Sequence, residues 1–124
     1  MSALNVPDGA RLVRAGSTIP IEEPSNCALV RPVASVVEGD SSMSVTEVSI
    51  SGRHRALSSR RSARLYYLLI GELSFVLDGG EPITISSGDS VIIPRACTYS
   101  LEGHATYLVL NTPAFENGDD NYFE

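Results

Sequence analysis

The chain has 124 residues, of which 43% are apolar and 19% are charged, and its formal net charge is -6. This length suits one domain with one hydrophobic core, and the apolar content excludes a globally disordered chain. An acidic protein is repelled overall by nucleic acids and by anionic membranes, so we expect neither of them as a partner.

The basic and sulfur-containing residues exclude further classes. All nine basic residues are arginines, so Schiff-base chemistry on a protein lysine, including attachment of pyridoxal phosphate, is excluded. Cys27 and Cys97 are the only cysteines, and the sequence contains neither an apolar signal segment nor a long apolar run. These features predict a cytoplasmic protein with reduced thiols.

Short runs of β-branched and aromatic residues, separated by Gly, Pro, Ser and Asp, predict strands throughout the chain. We expect residues 1–26 to form an irregular arm or an edge strand, residues 27–115 to form a barrel, and residues 116–124 to form an acidic surface tail. The predicted strands are, in chain order, Cys27–Arg31, Ala34–Glu38, Met43–Ile50, Leu65–Ile70, Leu73–Leu77, Ile83–Ser86, Ser90–Ile93, Tyr99–Glu102 and Ala105–Asn111.

Turn residues support this division. Asp78-Gly79-Gly80 separates two of the predicted strands and is typical of a hairpin, because glycine tolerates positive φ. Ser87-Gly88-Asp89 separates the next pair. The regular spacing of short strands and turns predicts an all-β sandwich or barrel.

Spaced glycines and a proline carry a resemblance to a known family. One stretch runs from Gly52 to Gly71, and a second begins at Gly88, contains Pro94 and ends at Gly103. Their spacing resembles the two sequence motifs of the cupin superfamily, although Gly103 stands where the second motif has asparagine. The resemblance implies an all-β jelly-roll barrel, the double-stranded β-helix of cupins.

The positions that bind metal in many cupins are changed here. Metal-binding members of the superfamily place two histidines, a glutamate and a third histidine inside the barrel, and the matching residues of this chain are Ser58, Arg60, Arg64 and Tyr99. A guanidinium has no lone pair to offer, and two arginines repel a divalent cation. We therefore expect neither a metal nor another cofactor at these positions.

Strand alternation predicts which side chains share a pocket with these positions. Tyr66 and Leu68 lie on the same face of their strand as Arg64, and Leu101 lies on the same face as Tyr99. Arginines and tyrosines among apolar walls suit an anionic or enolate-like ligand, because arginine presents a planar fork to a carboxylate or phosphate.

The same residues are candidates for proton transfer. A buried tyrosine beside an arginine can lose its proton more easily than in water, so Tyr99 is predicted to act as a general acid or base. Arg64 and Arg60 are predicted to stabilise a developing oxyanion. The opposing interpretation of the arginine-rich segment, residues 53–64, is a solvated loop.

Further polar residues leave alternatives open. Glu47 pairs with Arg64 if it faces inward and is solvated if it faces outward, whereas His54 is either a base at the pocket rim or a loop residue. A scattered metal site of His54, His104, Cys97 and Glu47 is another alternative. The predicted ligand-binding residues are Ser58, Tyr66, Leu68, Glu47, Leu101 and His54.

These residues favour a metal-independent enzyme that acts on a small anionic or enolisable molecule by proton transfer, as an isomerase, a lyase or dehydratase, or a cyclase. The resemblance implies a role like that of cupins that tailor secondary metabolites. The alternatives are a non-catalytic binder or sensor and a structural protein with a filled barrel. Buried arginines without partners cost several kcal/mol each, which counts against the filled barrel.

A homodimer is the expected assembly. The resemblance implies it, because cupins of this size commonly pair through their sheets. The apolar strand Cys27–Arg31 can extend or cover an exposed sheet edge.

Overall fold

Strands dominate the computed structural model, which describes residues 10–35 and 42–124. These residues also include two short 3-10 turns, Ala15–Ser17 and Pro24–Asn26. The strands are β1 (Ile21–Glu23), β2 (Ala28–Ala34), β3 (Ser44–Ser59), β4 (Ala63–Leu77), β5 (Ile83–Ser86), β6 (Ser90–Ile93), β7 (Tyr99–Thr112) and β8 (Asp120–Tyr122).

Several sequence predictions match these bounds, and others are longer in the structure. β5 and β6 begin and end as predicted. The predicted pairs of strands on either side of Gly71 and Gly103 are instead single strands, β4 and β7. β3 continues to Ser59, so the loop interpretation fails for residues 53–59 of the arginine-rich segment and holds for residues 60–62, which lie between β3 and β4. The predicted strand Ala34–Glu38 overlaps β2 only at Ala34, and residues 36–38 lie outside the described residues.

A row of three glycines explains why the long strands are not interrupted. Gly52, Gly71 and Gly103 have φ of +132°, +96° and +151°, and Gly52 pairs with Gly103 across β3 and β7. A Cβ atom on Gly71 would lie 2.1 Å from the carbonyl oxygen of His104, and one on Gly103 would lie 2.3 Å from that of Glu72. Glycine lets the strands adopt this conformation without losing their pairing, whereas in the sequence it resembles a break.

The strands form one antiparallel sheet in the order β1-β2-β3-β7-β4-β5, in which β6 also pairs with β4 and β8 with β3. Inward-facing apolar side chains fill one end of this sheet, where Leu73, Phe75 and Leu101 are at most 2% exposed. Burial of these side chains is the main favourable contribution to folding. The other end is not filled and contains a cavity.

Residues 116–124 are exposed at both ends, as expected for a polar surface tail, but their middle belongs to the sheet. They include β8, which pairs with Leu57, Ser58 and Ser59 at the end of β3. The acidic residues reach the arginine-rich segment, and the ion pairs include Arg61 with Asp119 at 2.8 Å and Arg53 with Glu124 at 2.7 Å. Local polarity could not predict these ion pairs, because their partners are far apart in the sequence.

The first described residues contain β1, which lies at the edge of the sheet. Since β2 lies between β1 and β3, the predicted strand Cys27–Arg31 does not form that edge. Cys27 itself precedes β2 and has φ of 54°. Among the described residues, none of the helical segments is long and apolar enough to cross a membrane.

The homodimer stays a prediction, and we expect light scattering at micromolar concentration to return twice the mass of the chain. Ile21 on the edge strand is 55% exposed, and Ile92 on the outer face of β6 is 69% exposed. Pairing through sheets would remove such apolar surface from water. A monomer mass under these conditions would contradict the prediction.

Candidate functional site

The unfilled end of the barrel contains a cavity of about 360 Å³. This size is typical of sites for small molecules. Its walls come mainly from β1, β2, β3, β4 and β7, with further residues from the segment after β7 and from β8. Most of the wall is apolar, and the polar side chains with a potential role in chemistry are Glu23, His54, Arg64, Tyr66, Tyr107, Asn111 and Asp120.

Arg64 lies inside the barrel, as the sequence predicts, and is 5% exposed. Its Nε donates to Asn111 Oδ1 at 2.6 Å, its Nη1 donates to Tyr99 Oη at 3.0 Å, and its Nη2 forms an ion pair with Asp120. Burial by itself lowers the pKa of Arg64, but Tyr99, Tyr66 and Asp120 raise this pKa above its ordinary value. The guanidinium is therefore charged, and its counter-charge is Asp120, not the Glu47 that the sequence offered as one alternative.

Tyr66 and Tyr99 form a pair of buried phenols beside Arg64. Their hydroxyl oxygens are 2.7 Å apart, and either one can donate. Burial raises the pKa of Tyr99 although Arg64 opposes this effect, and it raises the pKa of Tyr66 well above its ordinary value. The prediction that Tyr99 loses its proton more easily than in water is therefore wrong. Both phenols are protonated at neutral pH, so each has a proton to donate and neither is available to accept one.

His54 lines the cavity from β3. Its Nδ1 is 2.9 Å from the backbone carbonyl oxygen of Arg55. Since a carbonyl can only accept, Nδ1 carries the hydrogen, and the lone pair of the neutral ring lies on Nε2. Burial lowers the pKa of His54, although the bond to Arg55 and the charges of Glu23 and Asp120 oppose this effect. His54 is therefore neutral at pH 7 and available as a base.

Six of the nine predicted site residues do not line the cavity, and three of the six are Arg60, Glu47 and Ser58. Arg60 follows the end of β3, is exposed, and donates to Asn121 Oδ1 at 3.2 Å. Glu47 faces away from the cavity and pairs with Arg31 at 3.0 Å, not with Arg64. Ser58 is buried, but it pairs with Asn121 of β8 and does not reach the cavity wall.

Three others lie inside the barrel but not on the cavity wall. Leu68 and Leu101 are 0% and 2% exposed and pack in the apolar core. Tyr99 is 1% exposed and reaches the cavity through its hydroxyl contacts with Tyr66 and Arg64. Strand alternation predicted the inward face correctly, but it cannot distinguish the filled end of a barrel from the open one.

The alternative metal site is not assembled. His104 is exposed and its Nδ1 is 3.0 Å from Ser51 Oγ, whereas Glu47 pairs with Arg31. Within residues 10–35 and 42–124, no three side chains of His, Cys, Asp or Glu come close enough together to hold a metal ion.

The sequence reasoning missed three residues that contact the central groups. Asn111 and Asp120 bind Arg64, and Tyr122 stacks on His54 with 6.2 Å between ring centroids. Asn111 was detectable, because it lies on the same face of β7 as Tyr107 and Val109. The only signal for Asp120 was the charge complementarity between residues 116–124 and the arginine-rich segment.

No protein-family model and no curated protein matches this sequence. Solved structures do match it. Pac13 from Streptomyces, described as a nucleoside dehydratase, has a TM-score of 0.79 and 19% identity, with 90% of this chain and 88% of that chain covered. Variants of Pac13 with a histidine changed to glutamine or a tyrosine changed to phenylalanine were solved with uridine.

Two further structures support the same architecture. Oxalate decarboxylase from Bacillus subtilis has a TM-score of 0.81 and 16% identity, with 94% of this chain and 33% of that chain covered. KdgF from Halomonas sp. has a TM-score of 0.72 and 16% identity, with 88% and 97% covered. At these identities the likeness shows the fold, and the expected all-β cupin barrel is confirmed.

Proposed function

We propose that this cupin-fold protein is a lyase of the dehydratase type that removes water from a small, uncharged, hydroxylated molecule by proton transfer, without a metal. The observation that carries the proposal is that a neutral, half-buried histidine and a protonated, buried tyrosine line the same cavity. A base and an acid on one cavity are the requirement for elimination of water.

The proposed reaction balances as follows. His54 Nε2 takes a proton from a substrate carbon next to an electron-withdrawing group, and the electron pair of that C–H bond forms a C=C bond. The C–O bond on the adjacent carbon breaks, and the leaving oxygen takes the proton of Tyr66 Oη and departs as water. Transfer of the proton from His54 back to Tyr66 restores the enzyme.

Tyr99 and Arg64 stabilise the charge that forms on Tyr66 during this step. Tyr66 Oη is 2.7 Å from Tyr99 Oη, which accepts a hydrogen bond from Arg64 Nη1 at 3.0 Å. A fixed positive group behind a short chain of hydroxyls favours the transient phenolate, and the buried surroundings strengthen the effect.

The charges on the cavity wall favour an uncharged substrate over the anionic one expected from the sequence. Among the described residues of the wall, Arg64 carries the one guanidinium and is ion-paired with Asp120, and Glu23 adds a second carboxylate. An anion would meet two carboxylates and one compensated arginine. Pac13 is a nucleoside dehydratase and was solved with uridine, so uncharged nucleosides are the first substrates to test.

The direct test is to incubate the protein with uncharged nucleosides, with their carbonyl derivatives and with the matching phosphorylated compounds, and to follow loss of one water by mass spectrometry. We expect turnover of an uncharged compound at the same rate with and without a chelator. Turnover that stops with the chelator would contradict the metal-independent proposal. Binding without turnover of any compound would favour the non-catalytic binder.

Replacing Tyr66 with phenylalanine is expected to lower kcat by about 10²–10⁴-fold, because it removes the proton donor. Ligand affinity should change little, since the ring and its packing remain. Tyr67→Phe is the matched control, because Tyr67 is the next residue on β4 and is 40% exposed on the outer face. Steady-state kinetics and calorimetric titration measure the two effects, and a wild-type kcat for Tyr66→Phe would refute the acid role.

A further inference from the structure

β8 runs antiparallel to the end of β3, beside the cavity. Its residues Asp120, Asn121 and Tyr122 pair with Ser59, Ser58 and Leu57. Because side chains alternate along a strand, Asp120 and Tyr122 face one way and Asn121 faces the other. Asp120 lines the cavity, whereas the amide oxygen of Asn121 accepts from the exposed Arg60.

Asp120 contacts the acid half of the proposed machinery. One carboxylate oxygen forms the ion pair with Arg64, which in turn donates to Tyr99. The other oxygen accepts a hydrogen bond from Tyr122 Oη at 3.4 Å. Asp120 therefore connects the Arg64 guanidinium to the second inward-facing residue of β8.

Tyr122 contacts the base half. Its ring stacks on the imidazole of His54, with 26° between the ring planes. The Arg55 guanidinium carbon lies 3.8 Å from the centroid of the Tyr122 ring, and Asn26 Nδ2 donates to the Tyr122 hydroxyl at 3.3 Å. Arg55, Asn26 and Asp120 together hold the Tyr122 ring, so it presents a fixed surface to His54.

Other contacts fasten β8 to β3 without reaching the cavity. Glu124 Oε1 accepts from Arg53 Nη1 at 2.7 Å and from the backbone amide of Ala56 at 2.6 Å. The backbone amide of Arg60 donates to the carbonyl oxygen of Asp119 at 2.9 Å. Ion pairs and backbone hydrogen bonds together define where β8 lies along β3.

We infer that β8 positions both halves of the site: Asp120 orients Arg64 and, through it, the Tyr66–Tyr99 pair, whereas Tyr122 fixes the imidazole of His54. Asp120 and Tyr122 are positioning residues in this inference, because each acts through another residue. The catalytic part of the inference rests on the proposed function, but the contacts and the titration of His54 do not.

The test compares Asp120→Asn with Asp119→Asn. The two residues are adjacent and each pairs with an arginine, but Asp119 pairs with Arg61 and does not line the cavity. Within the part of the chain that the structure describes, the charged or titratable groups that face His54 are Glu23, Arg55, Asp120 and Tyr122. We expect Asp120→Asn to move the pKa of His54 downward, because it removes a negative charge, and Asp119→Asn to leave that pKa unchanged.

Proton NMR of the imidazoles measures this without a substrate. The chain has two histidines, and a His104→Gln background leaves His54 as the only signal. In the dehydratase assay we expect Asp120→Asn to lower kcat by about 100-fold, as expected for misplaced catalytic groups, with KM changed less. Asp119→Asn should alter stability without this loss of kcat, and Asp120→Glu, which keeps the charge, should retain the pKa of His54.

Tyr122 supplies a second test that survives if Asp120→Asn does not fold. Tyr122→Phe keeps the ring and is expected to keep the imidazole chemical shifts of His54, whereas Tyr122→Leu removes the stacked ring and is expected to change them. Unchanged shifts in Tyr122→Leu, or a wild-type His54 titration in a folded Asp120→Asn, would overturn the inference. The expected NMR changes without any dehydration would refute the proposed function alone.

Discussion

Replacing His54 with glutamine is expected to lower turnover by about 10²–10⁴-fold while the protein stays folded. The amide of glutamine cannot take a proton from carbon, whereas the neutral imidazole carries a lone pair on Nε2. His54 lies on the cavity wall and outside the apolar core, so its replacement removes the base and leaves the packing of the barrel. Steady-state kinetics measures the loss, and circular dichroism checks the fold.

The control is the same substitution at the other histidine. His104 is exposed on β7 and contacts Ser51, so His104→Gln should have wild-type kinetics. A His54→Gln variant that turns over like the wild type would remove the base from the proposed mechanism. Retained ligand affinity together with lost turnover is the combination expected for a base that is not needed for binding.

The pH dependence of the rate follows from the lowered pKa of His54. The imidazole accepts a proton from substrate only while it is neutral, so the rate is expected to fall on the acid side, with a midpoint below about pH 6.5, the ordinary value for histidine. A midpoint of the rate above that value would contradict this expectation.

The lowered pKa of His54 also affects stability. Below about pH 6.5 this histidine binds a proton in the unfolded chain before it does so in the folded protein, so the free energy of unfolding falls until the pH is below the pKa of the folded state.

Replacing Arg64 with leucine is expected to lower the free energy of unfolding by about 3–5 kcal/mol, the usual cost of removing one partner of a buried ion pair. The substitution leaves the Asp120 carboxylate without its cation, and it deprives Asn111 and Tyr99 of a donor. From the sequence alone we expect Arg64→Leu to keep the fold and to lose binding of the ligand, so the loss of stability follows from the ion pair seen in the structure. Denaturant unfolding measures the stability.

Arg53→Leu is the matched control for this effect. Arg53 also lies on a strand and pairs with a carboxylate of residues 116–124, at 2.7 Å from Glu124, but its side chain is 48% exposed. Exposed pairs contribute about 1 kcal/mol or less. The double variant Arg64→Leu/Asp120→Asn should lose less than the sum of its single variants, because neither charge is left alone. Equal losses for Arg64→Leu and Arg53→Leu would contradict the buried ion pair.

The sequence predicted the fold class because strand patterning and turn residues agree along most of the chain. It failed at Gly71 and Gly103, where local propensity indicates a break. In the structure the glycines face neighbouring backbone across the sheet, and a contact between distant strands cannot be read from one strand alone. β3 was predicted too short for a related reason, since the arginines of its second half find partners only after the chain has folded.

The site was predicted in part. Motif spacing placed Arg64 inside the barrel, strand alternation placed Tyr66 beside it, and both side chains are buried in the structure. It could not show that Arg64 is already paired, because the partner Asp120 lies 56 residues further along the chain. Arg60 was misplaced because the sequence does not show where β3 ends. Glu47 was misplaced because the side of a strand that faces the cavity depends on the strands that pair with it.

The shortness of β8 has a consequence for local opening. β8 is three residues long, and short elements open at a lower free energy than the long strands of a core. When β8 opens, Arg64 keeps Asn111 and Tyr99 as neighbours but loses its counter-charge. The cost of leaving that buried charge unpaired adds to the cost of opening, so the ion pair on the cavity wall also holds one of the shortest strands in place.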